Sequence, residues 1–183
     1  MKNKITFTLS LFFSLFLTGC IESRYLTERY VKTNIEQHKE GNFSSIKILS
    51  IFQGVSDDRL AYMEFTGCKY DSNKVLVIGF DKDFMKRKKL MGRKVVEPVD
   101  MNYIQVTVSQ VKNILDDYKT LQDKIRVEKP VHNEEIFHDL TVSPDFFISY
   151  KKPANVTYLW MRGERFEFKT SKLISQLQKF MKY

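Results

Sequence analysis

Apolar positions recur along this chain at two different periods, and the change from one to the other separates strands from helices. Residues 46–52 are apolar on both faces, as a central strand would be. Runs at 60–66 and 75–80 follow, set apart by polar turns at 54–58 and at Asp71-Ser72-Asn73. Ile104, Val106 and Val108 alternate with Tyr103, Gln105 and Thr107, which predicts a strand with one buried face. Val111, Ile114, Leu115, Tyr118, Leu121 and Ile125 then recur at helical spacing, with Ser109 as the expected N-cap and Pro130 as the stop. Four more strand-like runs follow at 136–142, 146–151, 156–161 and 165–169, the last two joined by the turn Arg162-Gly163-Glu164. Residues 171–183 close the chain as a second amphipathic helix, with Leu173, Ile174, Leu177, Phe180 and Met181 on one side. Earlier, Leu26, Tyr30, Val31 and Ile35 mark a helical stripe over 24–40, with Gly41 as its stop. Residues 82–101 carry no regular period. Runs of strands with segregated helices predict an α+β fold, a mostly antiparallel sheet with amphipathic helices packed on one face. No internal repeat and no low-complexity segment is visible in the sequence.

The first twenty residues read differently. Lys2 and Lys4 precede an apolar run from Ile5 to Leu17, interrupted only by Thr6, Thr8, Ser10 and Ser14. As a helix this run reaches about 20 Å, short of the ~30 Å hydrocarbon core, so it reads as a signal-peptide core and not as a membrane span. It ends in Leu17-Thr18-Gly19-Cys20, which resembles the lipobox of bacterial lipoprotein precursors. The resemblance is confined to residues 1–20. It implies removal of residues 1–19, transfer of a diacylglyceryl group to the Cys20 thiol, and acylation of the new amino terminus. The organisation expected is a signal peptide at 1–19, a lipidated N-terminus and short tether at 20–23, and one globular α+β domain at 24–183. The protein would be exported and lipid-anchored, at the cell membrane or, with Ile21 rather than Asp after the cysteine, at an outer membrane. A thioether at Cys20 would leave Cys68 as the one thiol.

Composition agrees with one domain plus a targeting segment: 183 residues, 43% hydrophobic, 14% aromatic and 28% charged. Two cysteines exclude a disulfide-stapled scaffold and a four-cysteine zinc site. The net charge is +8, and +6 once Lys2 and Lys4 are removed. The excess is concentrated. Lys82, Lys86, Arg87, Lys88, Lys89, Arg93 and Lys94 fall within thirteen residues, opposed by Asp83 and interleaved with Phe84, Met85, Leu90 and Met91. Near an anionic leaflet each such charge contributes about 1 kcal/mol, so this run is the candidate contact with lipid or lipopolysaccharide phosphates. The competing reading is a solvated hairpin tip. Nucleic acid is not an expected partner of an exported lipoprotein.

Motifs for catalysis are missing: there is no glycine phosphate loop, no H-E-x-x-H, no C-x-x-C and no G-x-S-x-G. His132, Glu134, Glu135, His138 and Asp139 are metal-type ligands, but two histidines six apart on a strand stand roughly 20 Å from each other. His138 is in register with Ile136, Leu140 and Val142, which predicts a packed, hydrogen-bonded histidine. Trp160 and most phenylalanines are expected in the core. Neither a catalytic site nor a metal nor a cofactor is assigned. The function expected is a non-enzymatic envelope lipoprotein that binds a protein partner or an anionic envelope component. The alternatives are an envelope enzyme using Cys68 or a histidine, and a toxin-neutralising lipoprotein of the immunity type.

Overall fold

The strand-like runs pair as two antiparallel meanders in the computed structural model, which describes residues 26–31, 46–70, 73–91, 97–128, 135–152 and 154–183. One sheet has the order β1 (Ile46–Val55), β2 (Tyr62–Tyr70), β3 (Asn73–Asp81), β4 (Asn102–Thr107). The other has the order β5 (Ile136–Ser143), β6 (Phe146–Lys152), β7 (Val156–Met161), β8 (Glu164–Lys169). Four helices are described: α1 (Leu26–Tyr30), α2 (Phe84–Met91), α3 (Val108–Glu128) and α4 (Thr170–Lys182). The fold is α+β. Each meander runs directly into a long helix, β4 into α3 and β8 into α4, so one architecture occurs twice without a matching repeat in the sequence.

The switch from strand to helix after β4 has a local cause. Thr107 Oγ1 accepts the Gln110 amide at 3.3 Å, and Gln110 Oε1 accepts the Thr107 amide at 2.8 Å, a reciprocal capping box. Thr107 therefore does the work expected of Ser109. After β7, Arg162 and Gly163 both take positive φ, at 50° and 79°, the geometry of a two-residue hairpin turn whose twist suits the flanking strands.

Alternation along the strands sends Met63, Phe65, Leu76, Ile78, Phe80, Ile104 and Val106 to the inner face of the first sheet. Phe146, Ile148, Tyr150, Leu159, Met161, Phe166 and Phe168 meet them from the second sheet. Val111, Ile114 and Leu121 of α3, with Leu173, Leu177 and Phe180 of α4, complete one continuous core. Ring pairs Phe65–Phe168 and Phe80–Phe166, at 5.8 and 5.2 Å between centroids, join the two sheets. The β1–β2 loop joins them again from outside. Asp57 Oδ2 and Asp58 Oδ2 accept the Lys169 and Glu167 amides of β8, both at 2.7 Å, which satisfies an edge strand that would otherwise be open.

The outer face of the first sheet is covered by α1, which packs on β2 and β3 through a smaller cluster of Val31, Cys68, Val75 and Val77. The segments expected as signal peptide and tether, Cys20, the rest of the helix expected at 24–40, Arg93, Lys94 and His132 lie outside the described residues.

Candidate functional site

Residues 82–101, which lack a sequence period, begin with a helix. In α2 the buried Phe84 ring lies 5.1 Å from Tyr62, and three positions on Arg87 turns to the same side. There its guanidinium donates to Asp81 Oδ2. Asp81 is fully buried and also accepts the Asp83 and Val99 amides, at 3.2 and 3.0 Å. Arg87 keeps only 25% of its side chain exposed and reaches a second carboxylate, Asp100, at 3.9 Å. It is a structural cation that clamps α2 to the end of β3.

The other bases of α2 are turned outward. Lys82, Lys86, Lys88 and Lys89 line one side of an open groove of about 810 Å³. The opposite side is supplied by distant segments: Arg59 and Leu60 from the β1–β2 loop, and Glu164, Arg165 and Phe166 from β8. The contacts of Asp57 and Asp58 with β8 hold that loop in place, and Arg59 takes a positive φ of 57° at its tip. Five cations, Arg59, Lys82, Lys86, Lys88 and Lys89, thus face a groove whose lining includes two carboxylates, Asp83 and Glu164, while the Arg165 guanidinium lies over the Tyr158 and Trp160 rings at 5.0 and 5.9 Å. Glu164 is partly spent: it accepts from Lys82 Nζ at 2.7 Å, and this hydrogen bond raises the Lys82 pKa, so that lysine stays charged. Leu60, Met85 and Phe166 provide apolar lining between the charges. Such a lining suits a ligand with negative charge and some apolar surface.

Of the seven bases singled out in the sequence, four reach the groove, Arg87 is diverted into the Asp81 clamp, and Arg93 and Lys94 are not described. Arg59 was not anticipated, because only the tertiary fold brings it to the same groove as α2.

The other candidates are separated. Cys68 is fully buried under α1 on the outer face of the first sheet. His138 lies on the inner side of β5, where Nε2 pairs with Asp117 at 2.9 and 3.0 Å and the ring stacks on Tyr150 at 6.2 Å. The fold brings no cysteine to this histidine. No cluster of three or more metal-type ligands forms among the described residues. Trp160, expected in the core, stands on the outer face of the second sheet beside its register partner Phe147, at 5.1 Å, with the Arg165 guanidinium 5.9 Å from its ring.

Among the described residues no helix is long and apolar enough to cross a membrane. The chain matches no family model, no curated protein and no solved structure in comparison with known proteins.

Proposed function

We propose that the protein is an exported bacterial lipoprotein, held at the envelope by lipid on Cys20, whose folded body is a binding module for an anionic, phosphate-bearing envelope component. The observation that carries this reading is the groove, where Arg59 of the β1–β2 loop and the run Lys82, Lys86, Lys88 and Lys89 converge from two separate segments around apolar lining. Convergence matters more than the count of charges. A solvated loop needs no Arg59 across from it, whereas several cations in one concavity focus their field on a bound anion. The resemblance of residues 17–20 to a lipobox supports the location: two or more acyl chains, at about 0.8 kcal/mol per buried CH₂, anchor a protein stably at a bilayer.

Two measurements test the proposal. Intact-mass analysis of protein extracted from bacterial membranes should show residues 1–19 missing and Cys20 acylated; an unmodified Cys20 would remove the anchor. Binding of the protein without its acyl chains to lipopolysaccharide and to phosphatidylglycerol should fall with added salt, because screening shortens to ~8 Å at physiological ionic strength. The Lys86→Gln/Lys88→Gln/Lys89→Gln variant should bind both weakly. Binding that ignores salt and these substitutions would dismiss the groove.

A further inference from the structure

We infer that the end of the molecule around Asp81 is the face turned to the membrane, seated on the anionic headgroups of the bilayer that carries the Cys20 acyl chains. The inference rests on the proposed lipidation of Cys20 and adds to it an orientation and a partner for α2.

Its first support is the direction of α1. The Thr27 amide and Oγ1 donate to Glu64 Oε2 at 2.8 and 2.9 Å, while Val31, one turn later, packs with Cys68, Val75 and Val77. On β2 and β3, Glu64 is opposite Gly79, Cys68 is opposite Val75, and Tyr62 is opposite Asp81. So α1 runs away from the Asp81 end, and the chain enters it from that end. Glu64 is tied onward by the Tyr62 hydroxyl at 2.6 Å, and Tyr62 packs on Phe84, the first residue of α2. Leu26 is six residues after Cys20, a span of at most about 20 Å. A lipid on Cys20 therefore attaches within about 20 Å of Leu26, at the start of a helix whose entry end is also the Asp81 end of the first sheet.

The second support is independent of the tether. Seven large apolar side chains are exposed among the described residues, and four of them, Leu60, Leu90, Met91 and Val99, surround the Asp81 clamp and α2. Leu90 is 79% exposed and Val99 68%. Around the α2 axis, Lys86 and Lys89 point away from Phe84 and Arg87. Apolar tips within a cationic field match a headgroup layer, where the charges meet phosphates and the tips reach the acyl boundary. Lys82 and Glu164 fix the β7–β8 turn at the same end, so both sheets present their ends together.

The test uses the lipidated full-length protein reconstituted into vesicles of phosphatidylcholine with or without phosphatidylglycerol. A fluorescent label is placed on Leu90→Cys or on Phe137→Cys, an exposed position at the far end of the second sheet. Cys68 is buried and does not compete for the label. Lipid-borne quenchers should extinguish the label at 90 in anionic vesicles and leave that at 137 bright. Lys86→Gln/Lys89→Gln should abolish the quenching. Lys47→Gln/Lys69→Gln, an equal charge change at the opposite end of the first sheet, should preserve it. Equal quenching at 90 and 137 with Cys20 acylated would overturn the orientation and leave the anchor standing. A Cys20 without acyl chains would overturn both.

Discussion

A buried carboxylate and an exposed lysine differ in what their loss costs, and α2 contains both cases within a few residues. Asp81 is fully buried and depends on the Arg87 guanidinium and two backbone amides. Arg87→Ala leaves that buried carboxylate without the cation paired with it, and breaking such a pair costs several kcal/mol. We expect a loss of about 3 kcal/mol, the low end of that range, because Arg87 keeps a quarter of its side chain in water. Lys86→Gln and Lys89→Gln should each change stability by no more than about 0.5 kcal/mol while weakening anion binding. Urea unfolding of the three variants checks this, and an Arg87→Ala midpoint equal to that of Lys86→Gln would refute the clamp. In the sequence Arg87 is one base among seven. Its role depends on a carboxylate six residues earlier, at the end of a strand, and on a helix that no periodicity announces.

At the scale of elements, α1 is held to the first sheet by close approach as much as by hydrogen bonds. Gly79 faces it directly: a Cβ there would come within 2.6 Å of Thr27 Cγ2 and 2.7 Å of Met101 Cε. Thr27 cannot yield easily, since it is fully buried with its amide and hydroxyl both committed to Glu64. Gly79→Ala should therefore push α1 off the sheet at a cost of roughly 1–3 kcal/mol. Hydrogen exchange should show the Thr27 amide losing protection while the amides of β6 keep theirs; unchanged protection at Thr27 would count against the docking. The strands and the two long helices were legible because burial on one face leaves a period in the sequence, as in Ile104/Val106 and Val111/Ile114. The short helix α2 was not, since Phe84 is its one buried position, Met85 and Arg87 are half-buried, and the rest are exposed. Trp160 was misplaced for a related reason: alternation along β7 sets Leu159 and Met161 inward and leaves the tryptophan on the outer face with Phe147. The groove was half legible, as a basic run, while Arg59 required the β1–β2 loop to close on β8.

Across the whole molecule, the shared core ties the two sheets into one unfolding event, and two tyrosines give that claim a pH signature. Tyr103, on β4, has its pKa pushed up to about 12, chiefly by burial, with Glu64 and then Tyr30 adding to it. Tyr150, on β6, is pushed up further, again by burial first and then by Asp117 and Tyr118. In the unfolded chain both titrate near 10. A folded pKa above the unfolded one means that the folded state keeps its proton longer. Stability is then complete below about pH 10 and declines as pH rises through the window between the two values, by up to ~1.4 kcal/mol per pH unit for each group. One tyrosine belongs to each sheet, yet both sheets contribute to a single apolar cluster with α3 and α4 between them. Alkali should therefore lower one common midpoint and not release the sheets in turn. Urea unfolding followed by Trp160 emission in the second sheet, and by amide exchange of β2 and β3 in the first, should give coincident transitions. Their shared midpoint should hold steady up to about pH 9.5 and fall above pH 10. Tyr150→Phe, which removes the ionisable hydroxyl and its 3.4 Å hydrogen bond to the Ile114 carbonyl, should start lower and lose less on alkalisation. Two separate midpoints would divide the core into independent halves, and a midpoint indifferent to alkali would show that these hydroxyls ionise within the folded protein.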